Sequence, residues 1–204
     1  MRLFYAPSAI SSVSAIALRE ADLNHELHKV DFASGEQRTG AYLKVNPKGR
    51  VPALDIGGEI LTETGAILEY IAAVAPDADL VPSDPVEAAR MRAVMYYLAS
   101  TMHVNHAHAR RGARWADKQS SWDDMAAKAS KTMAESARFI EEECLTGPFV
   151  LGEKLTLADI YLYVVSTWLE GDGVDVTGFP KITSFRQTME KRASVRDLRA
   201  LSVI

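Results

Sequence analysis

The sequence predicts a small α/β segment followed by an all-α segment. Short apolar runs alternate with helically spaced ones up to about residue 77. A proline- and aspartate-rich stretch, Pro76 to Asp84, then interrupts the pattern. Beyond it every patterned run has the helical period. The expected division is an α/β domain over 1–77, a linker over 78–84 and an all-helical domain over 85–204.

Arg2-Leu3-Phe4-Tyr5 is a short apolar strand ended by Ala6-Pro7. A helix follows through Ile16, Ala17, Glu20 and Ala21, with Ser11 or Ser12 as its natural N-cap. Glu26 to Phe32 alternates as a second strand, and Ala33 to Thr39 is a polar loop. Ala41 to Val45 reads as a short helix cut off before Pro47. Val51-Pro52 leads into a third strand, and Gly57-Gly58 turns it into a fourth. From Glu63, the spacing of Ile67, Leu68, Ile71, Val74 and Ala75 gives a helix that ends at Pro76. The predicted order is therefore βαβαββα.

In the second segment, Asp84-Pro85-Val86-Glu87 combines an N-cap, a proline at the first helical position and an acid at the third. The helix it opens is expected to run to about Trp115, with a kink at Gly112. Met125 to Leu145 makes another, ended by Gly147-Pro148. Thr156-Leu157-Ala158-Asp159 is a capping box for a helix reaching about Leu169. Phe179-Pro180 and Ser194 open two terminal helices.

The chain has 204 residues, of which 48% are hydrophobic and 25% charged, as in an ordinary globular protein. Its net charge of -4 argues against general nucleic-acid binding. No apolar run has the length of a membrane span, and no signal-peptide pattern opens the chain. The lone Cys144 excludes an internal disulfide and a CxxC pair, so the cytoplasm is the expected location.

The densest chemistry lies in Asn46-Pro47-Lys48-Gly49-Arg50-Val51-Pro52 and the Glu63-Thr64-Gly65 that follows the hairpin. Pro52 has no N–H for a sheet ladder, and Val51 before it is pushed into an extended conformation. The Val51 backbone is then open to an extended peptide guest. The helix starting near Glu63 offers amides and a positive dipole end to a carboxylate. The alternative is purely structural: Pro52 starts a strand and Glu63-Thr64 caps a helix.

Taken with Thr156-x-x-Asp159, and with Phe179-Pro180 leading to Arg192-Ala193-Ser194-Val195, these motifs resemble the glutathione transferase family over essentially the whole chain. Met1-Arg2-Leu3-Phe4-Tyr5-Ala6-Pro7 and Leu18-Arg19-Glu20 are most similar to its bacterial beta-type members. The resemblance implies a thioredoxin-like first domain, a homodimer and glutathione as co-substrate, without a metal. It implies that Arg50, Val51 and Pro52 meet the cysteinyl backbone of glutathione, with Pro52 cis, and that Glu63 and Thr64 hold the γ-glutamyl end.

A free thiol has a pKa of about 8.5, and lowering it by two units takes roughly 2.7 kcal/mol of preferential thiolate stabilisation. The beta-type pattern places a cysteine where this chain has Ile10, followed by a serine that matches Ser11. Cys144 is a poor substitute, since Glu141, Glu142 and Glu143 are expected to raise its pKa. Ser11 is the expected donor to the glutathione sulfur, with Tyr5 second, and the bland alternative for Ser11 is a plain N-cap.

His103 to Trp115 is the other cluster. At helical spacing His103 and His106 share a face, and so do Arg111, Arg114 and Trp115. Three arginines disfavour a metal site, and the structural alternative is a solvated or interfacial helix face. By the resemblance, His103 aligns with a histidine of beta-type members that points at the sulfur, and Ile10, His103, His106, Arg111 and Trp115 are the expected residues of a pocket for a hydrophobic or planar second substrate. The expected function is conjugation of glutathione to an electrophile, in detoxification. The alternatives are a glutathione-dependent isomerase, dehalogenase or peroxidase, or a non-catalytic binding protein.

Overall fold

The structure, a computed structural model, describes residues 1–204. Its first compact unit comprises 1–81 together with 190–204, and its second comprises 82–189. The C-terminal segment therefore belongs with the α/β unit, not with the helical domain in which the sequence division put it.

In the first unit the order is β1 (Arg2–Tyr5), α1 (Ser11–Glu20), β2 (Glu26–Lys29), α2 (Gly40–Val45), β3 (Ala53–Asp55), β4 (Ile60–Thr62) and α3 (Thr64–Val74). This is the expected βαβαββα. The sheet order is β2-β1-β3-β4, with β1 and β2 parallel and the other pairs antiparallel. β2 stops at Lys29, short of the expected Phe32. Val30 is fully buried, whereas Phe32 is exposed. One helix layer is formed by α1 and α3, whose Val13, Ile16, Ile67, Leu68 and Ile71 have no exposed surface. At the Gly57-Gly58 turn both residues take positive φ, and the Asp55 carboxylate accepts from both amides.

The C-terminal helix α9 (Ala193–Ala200) packs on α1. Its N-cap is Arg192 and not Ser194, which turns inward instead. Arg192 grips the Glu20 carboxylate through Nε at 2.7 Å and Nη2 at 2.6 Å, and the Ser194 hydroxyl donates to the same group.

The second unit is all helix. α4 (Pro85–Tyr97) begins as predicted, with the Asp84 carboxylate accepting from the Val86 and Glu87 amides at 2.9 Å. The helix does not continue to Trp115. A five-residue π-type turn over Leu98–Met102 interrupts it, and α5 (His103–His108) ends it. α6 (Gln119–Phe139) closes in a second π-type turn, Ile140–Cys144. α7 (Leu157–Ser166) is buried along its entire length. Its Asp159 carboxylate accepts from the Thr156 amide and hydroxyl and from the Val150 amide. That role is the predicted capping. Burial pushes the Asp159 carboxyl up to about 6 against those bonds. α8 (Pro180–Glu190) begins at the predicted proline.

Candidate functional site

The register of the sheet determines where the site residues meet. Ala53 pairs with Phe4 on one side and Thr62 on the other. One end of the sheet therefore carries four things: the end of β1 at Tyr5, the Val51-Pro52 approach to β3, the Glu63-Thr64 exit from β4, and the turn into α1. Val51 and Pro52 lie before the first paired residue of β3, so the Val51 amide and carbonyl stand outside the ladder. The Val51–Pro52 peptide bond is cis, as the resemblance implied.

The loop before Val51 is held by side chains that the sequence reading gave no role. The Arg50 carbonyl accepts from the Tyr42 hydroxyl at 2.8 Å and from Asn46 Nδ2 at 2.6 Å. Asn46 Oδ1 accepts from the Lys48 amide at 3.1 Å. Gly49 has φ +60°, and a Cβ there would stand 2.9 Å from the Gln37 carbonyl, so glycine is required twice over. Burial, with Glu36 nearby, pushes the Tyr42 hydroxyl up to about 12, so it remains a donor. The Arg50 side chain itself is exposed.

At the other corner, Thr64 is buried as the first residue of α3, whose leading amides lack intrahelical acceptors. Glu63 precedes it with φ +72°, a conformation that costs a non-glycine residue about 1–3 kcal/mol. The exposed Glu63 carboxylate is paired with Lys48 Nζ, which also donates to Thr62 Oγ1 at 2.8 Å. Lys48 thus ties the Asn46–Pro52 loop to the hairpin exit.

The turn into α1 differs from expectation. Ile10 is the N-cap residue, with helical φ and ψ and no side-chain cap. Ser11 is the first helical residue and is fully buried. Its Oγ accepts from the Ala6 amide at 3.1 Å and donates to the Ala6 carbonyl at 3.2 Å. With its proton on that carbonyl, Ser11 reaches a sulfur only by giving up the bond, and its observed role is to close the Ala6–Ile10 turn. Ser12 does not cap either: its hydroxyl donates to the Val203 carbonyl at 2.9 Å, which also accepts from the Ser8 amide at 3.0 Å. Tyr5 is buried at the end of β1, where its carbonyl takes the Val30 amide at 2.7 Å.

Cys144 is a buried free cysteine. Burial first, and Glu143 second, push its thiol up to about 11. Glu141 acts elsewhere: its carboxylate accepts from the Lys181 and Ile182 amides at 2.7 and 2.8 Å, capping α8.

In the second unit the histidine cluster divides. His103 and His106 lie side by side on α5, and both rings rest on Trp168. His106 is stacked on the indole at 4.2 Å with 24° between the planes. Its Nδ1 lies 2.7 Å from Asp172 Oδ2. Neither Trp168 nor Asp172 was legible as a partner, because they stand more than 60 residues downstream. Arg111, Arg114 and Trp115 do not share a helical face with one another, since α5 ends at His108 and Gly112–Arg114 form a 3₁₀ turn. Trp115, half exposed, meets the His108 ring edge-on at 4.6 Å.

Known proteins agree with this architecture along the full chain. The family described as "Glutathione S-transferase, N-terminal domain" matches residues 1–73, and "Glutathione S-transferase, C-terminal domain" matches 97–193. A glutathione transferase homolog from Sulfitobacter, solved with glutathione bound, is 55% identical with a TM-score of 0.98, covering 100% of this chain and 98% of that one. Glutathione S-transferase GstA of Escherichia coli O157:H7 is 30% identical over 97% of this chain and 96% of its own. Maleylacetoacetate isomerase of Pseudomonas aeruginosa is also 30% identical, over 89% of this chain and 87% of its own. The cis proline before β3, the helix start at Glu63-Thr64 and the capping box of α7 thus sit in a chain that belongs to the glutathione S-transferase family.

Proposed function

We propose that this protein binds glutathione at the shared end of the sheet and conjugates its thiol to an electrophilic small molecule. The observation that supports this best is the convergence, through the Phe4–Ala53–Thr62 register, of an unladdered Val51 backbone with the α3 N-terminus at Thr64. The cysteinyl residue of glutathione pairs with Val51 as an added strand. Its γ-glutamyl carboxylate meets the Thr64 hydroxyl and amide. Its ammonium meets Glu63, sharing that carboxylate with Lys48. Arg50 and Pro52 flank the peptide. The thiol end lies toward the turn into α1, where amides of Ile10 and Ser11 and the helix dipole favour a thiolate. Tyr5 is the remaining hydroxyl candidate, and Ser11 acts by shaping the turn. With Ile10 in the cysteine position and the Cys144 thiol protonated, the chemistry is addition or substitution at carbon through the glutathione sulfur.

The second substrate is a hydrophobic or planar electrophile. The protein acts as a cytoplasmic homodimer. A glutathione-dependent isomerase is the second reading, favoured by the likeness to maleylacetoacetate isomerases.

Calorimetric titration with glutathione tests the binding site. The expected result is micromolar to millimolar affinity, weakened at least tenfold by Thr64→Ala. Absence of binding at millimolar glutathione overturns the proposal. Binding without turnover of a generic aryl halide retains the site but removes the transferase activity.

A further inference from the structure

The residues after α9 reach back to the turn that opens α1, and both segments belong to the first compact unit. α9 ends at Ala200, and Ser202 takes φ +54°, the left-handed conformation of a Schellman cap. The Ser202 amide donates to the Arg199 carbonyl and the Val203 amide to the Leu198 carbonyl, each at 2.9 Å. This cap reverses the chain and buries Val203 as completely as Leu198. The Val203 carbonyl then accepts from the Ser8 amide at 3.0 Å and from the Ser12 hydroxyl at 2.9 Å. One oxygen thus holds the two sides of the turn against each other. Between them stand Ile10 and Ser11, whose amides have no backbone acceptor, as expected at a helix start. The far end of α9 is anchored separately, by Arg192 and Ser194 on Glu20. With Val195 and Leu198 fully buried as well, packing of α9 does not call for a carbonyl bonded to both sides of the turn.

We infer that Val203 and Ser12 are positioning residues for the reaction: they set the turn into α1 so that the Ile10 and Ser11 amides meet the glutathione thiolate. The inference rests on the glutathione transferase reading above. An amide stabilises an anion only when its N–H points at the charge, and a misplacement of about 1 Å can cost about 10²-fold in rate. Ser8 has φ +54°, an unfavourable conformation for a residue with a side chain, so the turn keeps its shape only while its surroundings hold it. Ser11 holds it through Ala6, and Val203 holds it through Ser8 and Ser12. The Ser12 proton is committed to Val203, so Ser12 acts through the turn and not on the sulfur.

The test titrates the ultraviolet absorbance of bound glutathione thiolate in the wild type, Ser12→Ala, a variant lacking Val203 and Ile204, and Glu20→Gln. Glu20→Gln loosens the far end of α9 without touching the turn, and so controls for stability. The pH midpoint of thiol ionisation is expected to rise by about half a pH unit in Ser12→Ala and about one in the shortened variant, roughly threefold and tenfold weaker thiolate stabilisation. In Glu20→Gln it is expected to stay at the wild-type value. At pH 5, where the thiol is protonated throughout, glutathione affinity is expected to change less than about twofold in every variant, because Tyr42, Asn46 and Lys48 hold the Val51 and Thr64 corners independently. Far-UV circular dichroism checks folding, and Ser12→Ala alone decides if the shortened variant does not fold. Wild-type midpoints in the turn variants, or an equal rise in Glu20→Gln, overturn the inference and leave the transferase reading in place. A wild type that binds glutathione without lowering its midpoint below that of the free thiol also overturns it. A wild type that does not bind glutathione removes the reading and the inference together.

Discussion

Ser11 shows how one side chain changes role once its neighbours are known. A hydroxyl bonded in both directions to Ala6 supports the backbone of the turn, and its removal leaves a buried amide without an acceptor. Ser11→Ala is expected to lose about 1–2 kcal/mol in urea unfolding and to weaken glutathione binding in parallel. A loss in kcat with unchanged stability and affinity would instead identify it as a donor to the sulfur. Cys144 is the complementary case. With its thiol pushed up to about 11 by burial and by Glu143, it is expected to resist iodoacetamide at pH 8 in the folded protein. It becomes labelled only after unfolding. Rapid labelling of the native chain would return a protein thiol to the list of possible nucleophiles.

At the scale of elements, α8 and α7 begin with two different solutions to the same problem. α7 is capped from within, by Asp159 three residues after Thr156, which is why the sequence shows it. α8 is capped from outside, by Glu141 some 40 residues upstream. The π-type turn at Ile140–Cys144 supplies the residue that reaches it. Glu141→Ala leaves two helix-terminal amides without their acceptor and is expected to destabilise the protein by about 1–3 kcal/mol. Glu142→Ala, at an exposed neighbour, is expected to change stability by less than about 0.5 kcal/mol. Similar losses in the two variants, measured by urea unfolding, would show that the cap contributes little.

For the whole molecule, the closing feature is the return of the C-terminal segment to the α/β unit. Glu20, Arg192 and Ser194 join α1 to the start of α9. Burial alone would raise the Glu20 carboxyl; the bonds from Arg192 and Ser194 and the Arg192 charge outweigh it, so the folded value lies below the ordinary one. The folded state therefore binds this proton less tightly than the unfolded chain. The stabilisation is fully present above the ordinary carboxylate range, above about pH 5, and is lost as pH falls through the folded value. Glu20→Gln is expected to be less stable than wild type at pH 7, with a gap that narrows as pH falls below about 5. A gap independent of pH in denaturant melts would contradict this assignment.

Local physics made much of this protein readable in advance. The βαβαββα order, the Asp84 and Asp159 caps, the Gly57-Gly58 hairpin and the Val51-Pro52 and Glu63-Thr64 corners all rest on residues within a few positions of one another. Their geometry follows from φ restrictions, missing N–H groups and side-chain reach. The π-type turns that break the long helices were not legible, because the periodicity of 98–108 and 140–144 differs little from that of a regular helix. Four pairings also needed the fold: Ser11 with Ala6 in place of a cap, Val203 beneath Ser8 and Ser12, α9 on α1, and Asp172 beside His106. The sequence by itself determined which segments form strands and helices and that one sheet end presents an open backbone beside a helix start. Only the tertiary structure decided that the Ser12 hydroxyl is committed to Val203 and which imidazole is backed by a buried carboxylate, because hydrogen bonds between residues 66 to 191 positions apart leave no local pattern.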